Sequence, residues 1–325
     1  MTGAHHIPAI AHPALPASPT TPAGASPALA ATSAVAPLRQ LLHSLQAGPA
    51  CLVTVEATQG SVPREAGTWM ALAGAVPGAP GAPELLMGTI GGGHLEFAAL
   101  AQARRLLQLH LAGEAPPAIA LRQALGPSLG QCCGGVVQLR LECVTQADAP
   151  ALRERLAPEL QPVALFGGGH VGHALARALA PLPFALHWID SRDGVFDAAG
   201  APEALCEHSE PVQAAVPTLR PQSLVLIMSF SHAEDLDIVA ACLLRQRARG
   251  DLPFIGLIGS RTKWATFRHR LEARGFSEAE LAQVTCPIGL PGITGKQPEV
   301  IAVAVAAQLL QHWSALQMPA AAASG

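Results

Sequence analysis

The chain has 325 residues, half of them hydrophobic, so it can bury a sizeable core in each of two domains. A formal charge of −3, with no stripe of Lys and Arg, excludes a nucleic-acid binder that works by neutralising phosphates. Seven irregularly spaced cysteines form no secreted-type disulfide framework, the nearly apolar run 300–310 falls short of the roughly 20 residues of a membrane span, and no basic-then-apolar leader is evident; a cytoplasmic protein without a membrane partner is expected.

Residues 1–37 contain no Lys, Arg, Asp or Glu and are rich in Ala and Pro, which predicts a disordered tail with solvated histidines. Leu38, Leu41, Leu42 and Leu45 recur at helical spacing, and Gly48-Pro49 ends that helix before a strand over 51–55. A polar loop, Gly60-Ser-Val-Pro-Arg64, enters the next strand; the guanidinium of Arg64 suits a ligand anion or a surface ion pair. The stretch 75–83 reads as a Gly/Pro/Ala loop. A strand from Leu85 then runs into Gly91, Gly92 and Gly93 and a long helix over 97–111, an arrangement that can offer backbone N–H groups to an anion or be a plain turn. Glu96 is a candidate acid or base there, or a complement to the helix dipole.

The sequence Leu129-Gly-Gln131-Cys132-Cys133-Gly-Gly135 stands before an alternating strand over 136–144. Adjacent cysteines have Cα atoms about 3.8 Å apart, too close for an unstrained disulfide, so they read either as small buried residues in a turn or as thiols available to a metal or sulfur centre. Residues 38–149 are expected to form an α+β domain, 150–161 a proline-flanked linker, 162–313 a second domain, and 314–325 a flexible end.

The second domain opens on a buried strand over 163–166, a turn with Gly167, Gly169, His170 and Gly172, a helix, and a strand closing on Asp190. That is Gly-x-Gly-x-x-Gly in its strand, turn, helix context, with an acid placed to meet a ribose hydroxyl. Strands over 223–228 and 254–258 alternate with helices over 236–247 and 264–274, predicting a parallel sheet covered on both faces. Ser260, Arg261 and Lys263 make a basic turn at its ligand-binding edge, suited to an anion or to helix capping. Arg192 suits a phosphorylated ribose or a pairing with Asp193. A proline-led helix over 298–313 follows a loop from Cys286. The fold class expected is α/β, an N-terminal α+β domain followed by a Rossmann-like domain.

Six motifs in this order resemble the accessory proteins of bacterial xanthine dehydrogenase, the XdhC type. They are Gly60-Ser-Val-Pro-Arg64, Gly88-Thr-Ile-Gly-Gly-Gly-His-Leu-Glu96, the Cys132-Cys133 stretch, Gly167-Gly-Gly-His-Val-Gly172, Ile255-Gly-Leu-Ile-Gly-Ser-Arg261 and Pro287-Ile-Gly-Leu290. The resemblance runs from about Leu38 to Leu310. It implies a chaperone, not an enzyme, that holds the molybdenum cofactor (Mo-molybdopterin) during sulfuration by a cysteine desulfurase and passes it to the large subunit of xanthine dehydrogenase, as a homodimer. It implicates a cysteine of the pair in holding the metal centre, and soft thiolate suits that task. The pterin phosphate needs N–H donors, Arg or Lys, for which Gly91 to Gly93, Arg64, Arg261 and Lys263 are the candidates. A nucleotide at the Gly167 to Gly172 turn is a further candidate ligand. The rival readings are an NAD(P)-dependent oxidoreductase and a structural dimerisation module.

Overall fold

The computed structural model describes residues 35–74, 84–125, 134–196 and 203–317. Cys132, Cys133 and Gln131, together with the tail and the loop at 75–83, lie outside the described residues.

The first half is built on an antiparallel sheet of β1 (Ala50–Gln59), β2 (Trp69–Ala73), β3 (Leu85–Gly88), β4 (Ile119–Ala124) and β5 (Val136–Val144), in the order β3-β2-β1-β5-β4. Successive residues of β1 point to opposite faces, and both faces are covered. Cys51, Val53 and Val55 pack beneath α2 (Gly93–Leu111), against its Leu95, Ala99, Ala103 and Leu106. Ala50 and Leu52 pack on the other face against Leu41 within α1 (Ala36–Ser44) and Leu45 just past its end, and against Leu152 and Leu156 of α3 (Ala149–Leu156). The stretch expected as a linker, 150–161, therefore carries most of a helix. Pro150 sits in the first turn, where its missing N–H costs nothing, so a proline that read as punctuation starts a helix instead.

The second half is a six-stranded parallel sheet of β6 (Gln161–Phe166), β7 (Phe184–Asp190), β8 (Leu205–His208), β9 (Leu224–Ile227), β10 (Phe254–Leu257) and β11 (Val284–Thr285). Their order, β8-β7-β6-β9-β10-β11, is the 3-2-1-4-5-6 order of a Rossmann fold, with the topological switch between β6 and β9. Val163, Leu165, Leu224 and Leu226 face α4 (His170–Leu179) and α8 (Pro298–Gln317), while Ala164, Phe166, Val225 and Ile227 face α5 (His232–Arg249) and α6 (Arg261–Ala273). A short helix, α7 (Glu278–Leu281), leads to β11. By length and composition α8 is apolar enough to cross a membrane; in this fold its Ala302, Val305, Ala306 and Leu309 are buried in the core beside β6 and β9.

The two edge strands β8 and β11 were not legible in the sequence. They have four and two residues, and β8 exposes most of its side chains, so neither shows the apolar run of its buried neighbours.

Candidate functional site

Three motifs of the first half, far apart in sequence, meet in space. A Cβ on Gly91 would lie 2.6 Å from Cγ of Pro63, and one on Gly135 would lie 2.5 Å from the Ser61 carbonyl oxygen. The Gly60 Cβ position is 3.3 Å from the Gly135 Cα. Glycine at 135 is thus dictated by close approach of the Ser61 and Gln59 backbone, and glycine at 91 by its positive φ and by the Pro63 ring packed against it. The Leu125 N–H donates to the Gly135 carbonyl oxygen at 2.8 Å, joining the two ends of the segment that holds Gln131, Cys132 and Cys133. The described flank of the cysteine segment therefore adjoins the Gly60 to Arg64 loop, and that loop in turn adjoins the glycine turn.

The glycine turn is arranged around an anion, and that anion is the protein's own. Gly91, Gly92 and Gly93 have φ of 121°, 79° and 63°, which L side chains rarely adopt. The Ile90 N–H donates to the Glu96 carboxylate at 2.9 Å and the Thr89 hydroxyl donates to the same oxygen. Burial pushes the Glu96 carboxyl up, but the Thr89 hydroxyl and the N–H groups of Gly92, Ile90 and Gly91 outweigh it and hold it below the usual range. Glu96 is thereby a structural acceptor for Ile90 and Thr89, and the Gly91 N–H donates to the Thr89 hydroxyl oxygen at 3.2 Å, so donors of this turn are used within the protein. Arg64 is exposed beside this turn, its Cγ 3.6 Å from the Gly91 Cβ position.

At the Rossmann edge, a Cβ on Gly167 would lie 2.0 Å from the Met228 carbonyl oxygen and one on Gly172 would lie 2.1 Å from the Gly167 carbonyl oxygen, so both glycines are needed for packing. Gly169 differs: among the described residues nothing lies within 4 Å of its Cβ position. Asp190 is buried, and four donors converge on its carboxylate. They are the Gly168 N–H at 2.6 Å, the Arg192 N–H at 2.8 Å, and Nε and Nη2 of Arg192, both at 2.9 Å. Burial pushes this carboxyl up, yet the Arg192 side chain and the two N–H groups outweigh it and hold it below its ordinary value. Arg192 thus pairs with Asp190, not with the exposed Asp193.

The basic turn at 260–263 divides into three separate roles. The Ser260 hydroxyl caps α6 by accepting from the Lys263 N–H at 3.2 Å. Lys263 turns inward, donating to Oδ2 of buried Asp235 at 2.6 Å and to the Ile258 carbonyl oxygen at 2.9 Å. Oδ1 of Asp235 accepts from the backbone N–H of Ser229 at 2.8 Å, with the Ser229 hydroxyl at the same distance. Arg261 stays exposed, and so does Ser260, while Lys263 is partly buried. His170 is exposed and lines a cleft of about 340 Å³ with His173, Arg177 and Glu299.

Burial pushes the Cys242 thiol up to about 12 and raises those of Cys206 and Cys286. Cys51 and Cys143 face one another across β1 and β5; their mutual hydrogen bond raises Cys51 and lowers Cys143. Among the described residues no group of three or more His, Cys, Asp or Glu is placed to hold a metal ion. The sequence reading missed Asp235 and Phe230, although both lie in the Ser229 to Asp235 stretch after β9; the available signal was its position at a strand end in a parallel sheet.

The fold and these two loop clusters define a two-lobed α/β protein of Rossmann type with a preceding antiparallel lobe. A family model described as the XdhC Rossmann domain matches residues 163–309, and one described as the XdhC and CoxI family matches residues 44–112. The chain belongs to the XdhC family, whose members are accessory proteins. Cys132 and Cys133 lie between the two matched segments. A curated relative, the uncharacterized protein YqeB of Escherichia coli K12, is 27% identical over 232 residues, covering 70% of this chain. The match spans 38% of the length of that relative. The fold is shared with a crystal structure from Bacillus halodurans described as a xanthine dehydrogenase, at a TM-score of 0.67 and 18% identity, covering 87% of this chain and 97% of that one.

Proposed function

We propose that this protein takes part in xanthine dehydrogenase maturation as a chaperone of the molybdenum cofactor. It binds the cofactor as cargo, protects it while a cysteine desulfurase supplies sulfur, and releases it to the large subunit of the dehydrogenase, working as a homodimer. Family membership supports the general role. The observation that carries the finer reading is the convergence of the Arg64 loop, the Gly91 turn and the flank of the Cys132-Cys133 segment.

The donor types fit a pterin phosphate bound to a soft metal. Cys132 and Cys133 offer thiolates, and exposed Arg64 offers a paired guanidinium donor to phosphate. With the Glu96 carboxylate beside the glycine turn and the Gly91 N–H donating to Thr89, Arg64 is the stronger candidate for the phosphate. Two thiolates at most, short of a closed four-ligand cage, suit a cargo that must be released. The competing oxidoreductase reading loses its ribose-binding acid, because the Asp190 carboxylate is filled by protein donors.

The test is a Cys132→Ala, Cys133→Ala double variant produced in cells that make the cofactor. It is expected to fold with an unchanged urea midpoint and to lose co-purifying pterin fluorescence. Undiminished pterin content in the folded double variant would overturn the proposal.

A further inference from the structure

At the Rossmann switch, Phe230 follows Ser229 just beyond β9 and leaves 68% of its surface exposed. One exposed phenylalanine is ordinary. This one is different because the Arg192 guanidinium lies over its ring, 4.7 Å from the centroid, and Arg192 is itself pinned by paired hydrogen bonds to buried Asp190. Asp190 in turn holds the Gly168 N–H, and Ser229 lies against Gly167, with its Cα 3.2 Å from the Gly167 Cβ position. An aromatic face and a fixed cation are thus built at the strand ends where such sheets take ligands, the same edge that carries Gly169, whose Cβ position no side chain among the described residues obstructs.

The same contacts remove the usual ribose recognition. A carboxylate has about four acceptor positions, and protein donors fill all four on Asp190. Among the described residues, Oε2 of Glu234 is a buried acceptor with no hydrogen-bond partner, while its Oε1 accepts from the Ser191 hydroxyl at 2.7 Å. A buried carboxylate oxygen without a donor is costly, and a ring N–H or an exocyclic amino group supplies one.

We infer that Phe230 and Arg192 form a platform that binds a planar fused nitrogen heterocycle carrying an anionic group, and that the site reads the ring and the charge but not a ribose diol. Purine nucleotides and pterins share this chemistry. The inference stands apart from the chaperone reading, since it concerns the second lobe and is tested with added ligands on purified protein.

Isothermal titration of the full-length protein with AMP, 2′-deoxy-AMP, ribose 5-phosphate and pterin-6-carboxylate distinguishes the two sources. Stacking on an aromatic face contributes enough that Phe230→Ala should weaken binding about tenfold or more. AMP is expected to bind at least about tenfold tighter than ribose 5-phosphate for the same reason, and within about threefold of its 2′-deoxy form. Binding of pterin-6-carboxylate but not AMP, with the same dependence on Phe230, supports the platform with a pterin as its ligand. Phe230 is exposed, so its replacement leaves the fold intact, as the urea midpoint would verify. No binding of either heterocycle, equal affinity in Phe230→Ala, or a tenfold loss on removing the 2′-hydroxyl would each overturn the inference.

Discussion

Three neighbouring residues, Ser260, Arg261 and Lys263, show how little a residue's type says about its role until its partner is known. In sequence they form one basic turn. In space the Lys263 ammonium is drawn inward by Asp235, a carboxylate 28 positions earlier that is 2% exposed. Removing one member of a buried ion pair leaves the other charged and desolvated, at a cost of about 3 kcal/mol or more. Lys263→Ala is therefore expected to lower the free energy of unfolding by roughly that amount, and Arg261→Ala by no more than about 0.5 kcal/mol. Urea denaturation of the two variants checks this. Similar effects in both would mean that Lys263 is a solvated surface charge.

The strand, turn and helix at Phe166 to Leu179 show the same division within one element. Gly172 stands where α4 crosses the turn, and a methyl there would lie 2.1 Å from the Gly167 carbonyl oxygen. Gly169 precedes the helix with φ −83°, an ordinary backbone conformation, and has open space at its Cβ position. Gly172→Ala is expected to cost about 3 kcal/mol or to prevent folding, as overpacking against backbone does. Gly169→Ala should stay within about 1 kcal/mol, the scale of a change at a helix cap. Thermal melts of the two variants report the contrast, and equal melting points would refute the packing explanation. Gly169→Ala also leaves a folded protein in which any loss of ligand affinity is attributable to the obstructed backbone.

At the scale of the molecule, the carboxyl groups with shifted protonation among the described residues all move in one direction. Arg104 holds Glu84 below its ordinary value, Arg245 does the same for Asp251, and Arg247 with the Ser277 cap brings Glu280 down to about 2. Glu96 and Asp190 are lowered as described. A carboxylate with a depressed folded value contributes stability that is present above its unfolded value, 3.8 for Asp or 4.5 for Glu, and is lost as pH falls through the folded value. Burial also lowers His312 below 6.5, and the unfolded chain then binds its proton first, so this contribution too is lost on acidification. Stability from these groups should be level above pH 6.5, decline slightly below it, and fall steeply from pH 4.5 toward 2. Urea midpoints measured across that range test the profile. In Glu280→Gln the steep fall should be shallower at its lowest end, and an unchanged profile would exclude Glu280 as a contributor.

Much of the fold was legible in the sequence because periodicity is local. Apolar runs such as Val163 to Phe166 and Leu224 to Ile227 announce strands buried on both faces, and Gly167, Gly169 and Gly172 announce the turn between β6 and α4. Where an element lacks such a run, as in β8 and β11, or starts on a proline, as in α3, the local pattern failed. The candidate site was legible only as a set of residue types. Whether Asp190 meets a ribose or Arg192, whether the Gly91 turn faces a ligand or Glu96, and whether Lys263 faces solvent or Asp235 depends on which donors and acceptors the tertiary fold brings within about 3 Å of one another. The sequence by itself determined the apolar inner strands, the glycine turns and the family. The tertiary structure alone decided which charged groups are already satisfied and which remain for a ligand, because hydrogen bonds and desolvation are set by distance in space and not by order along the chain.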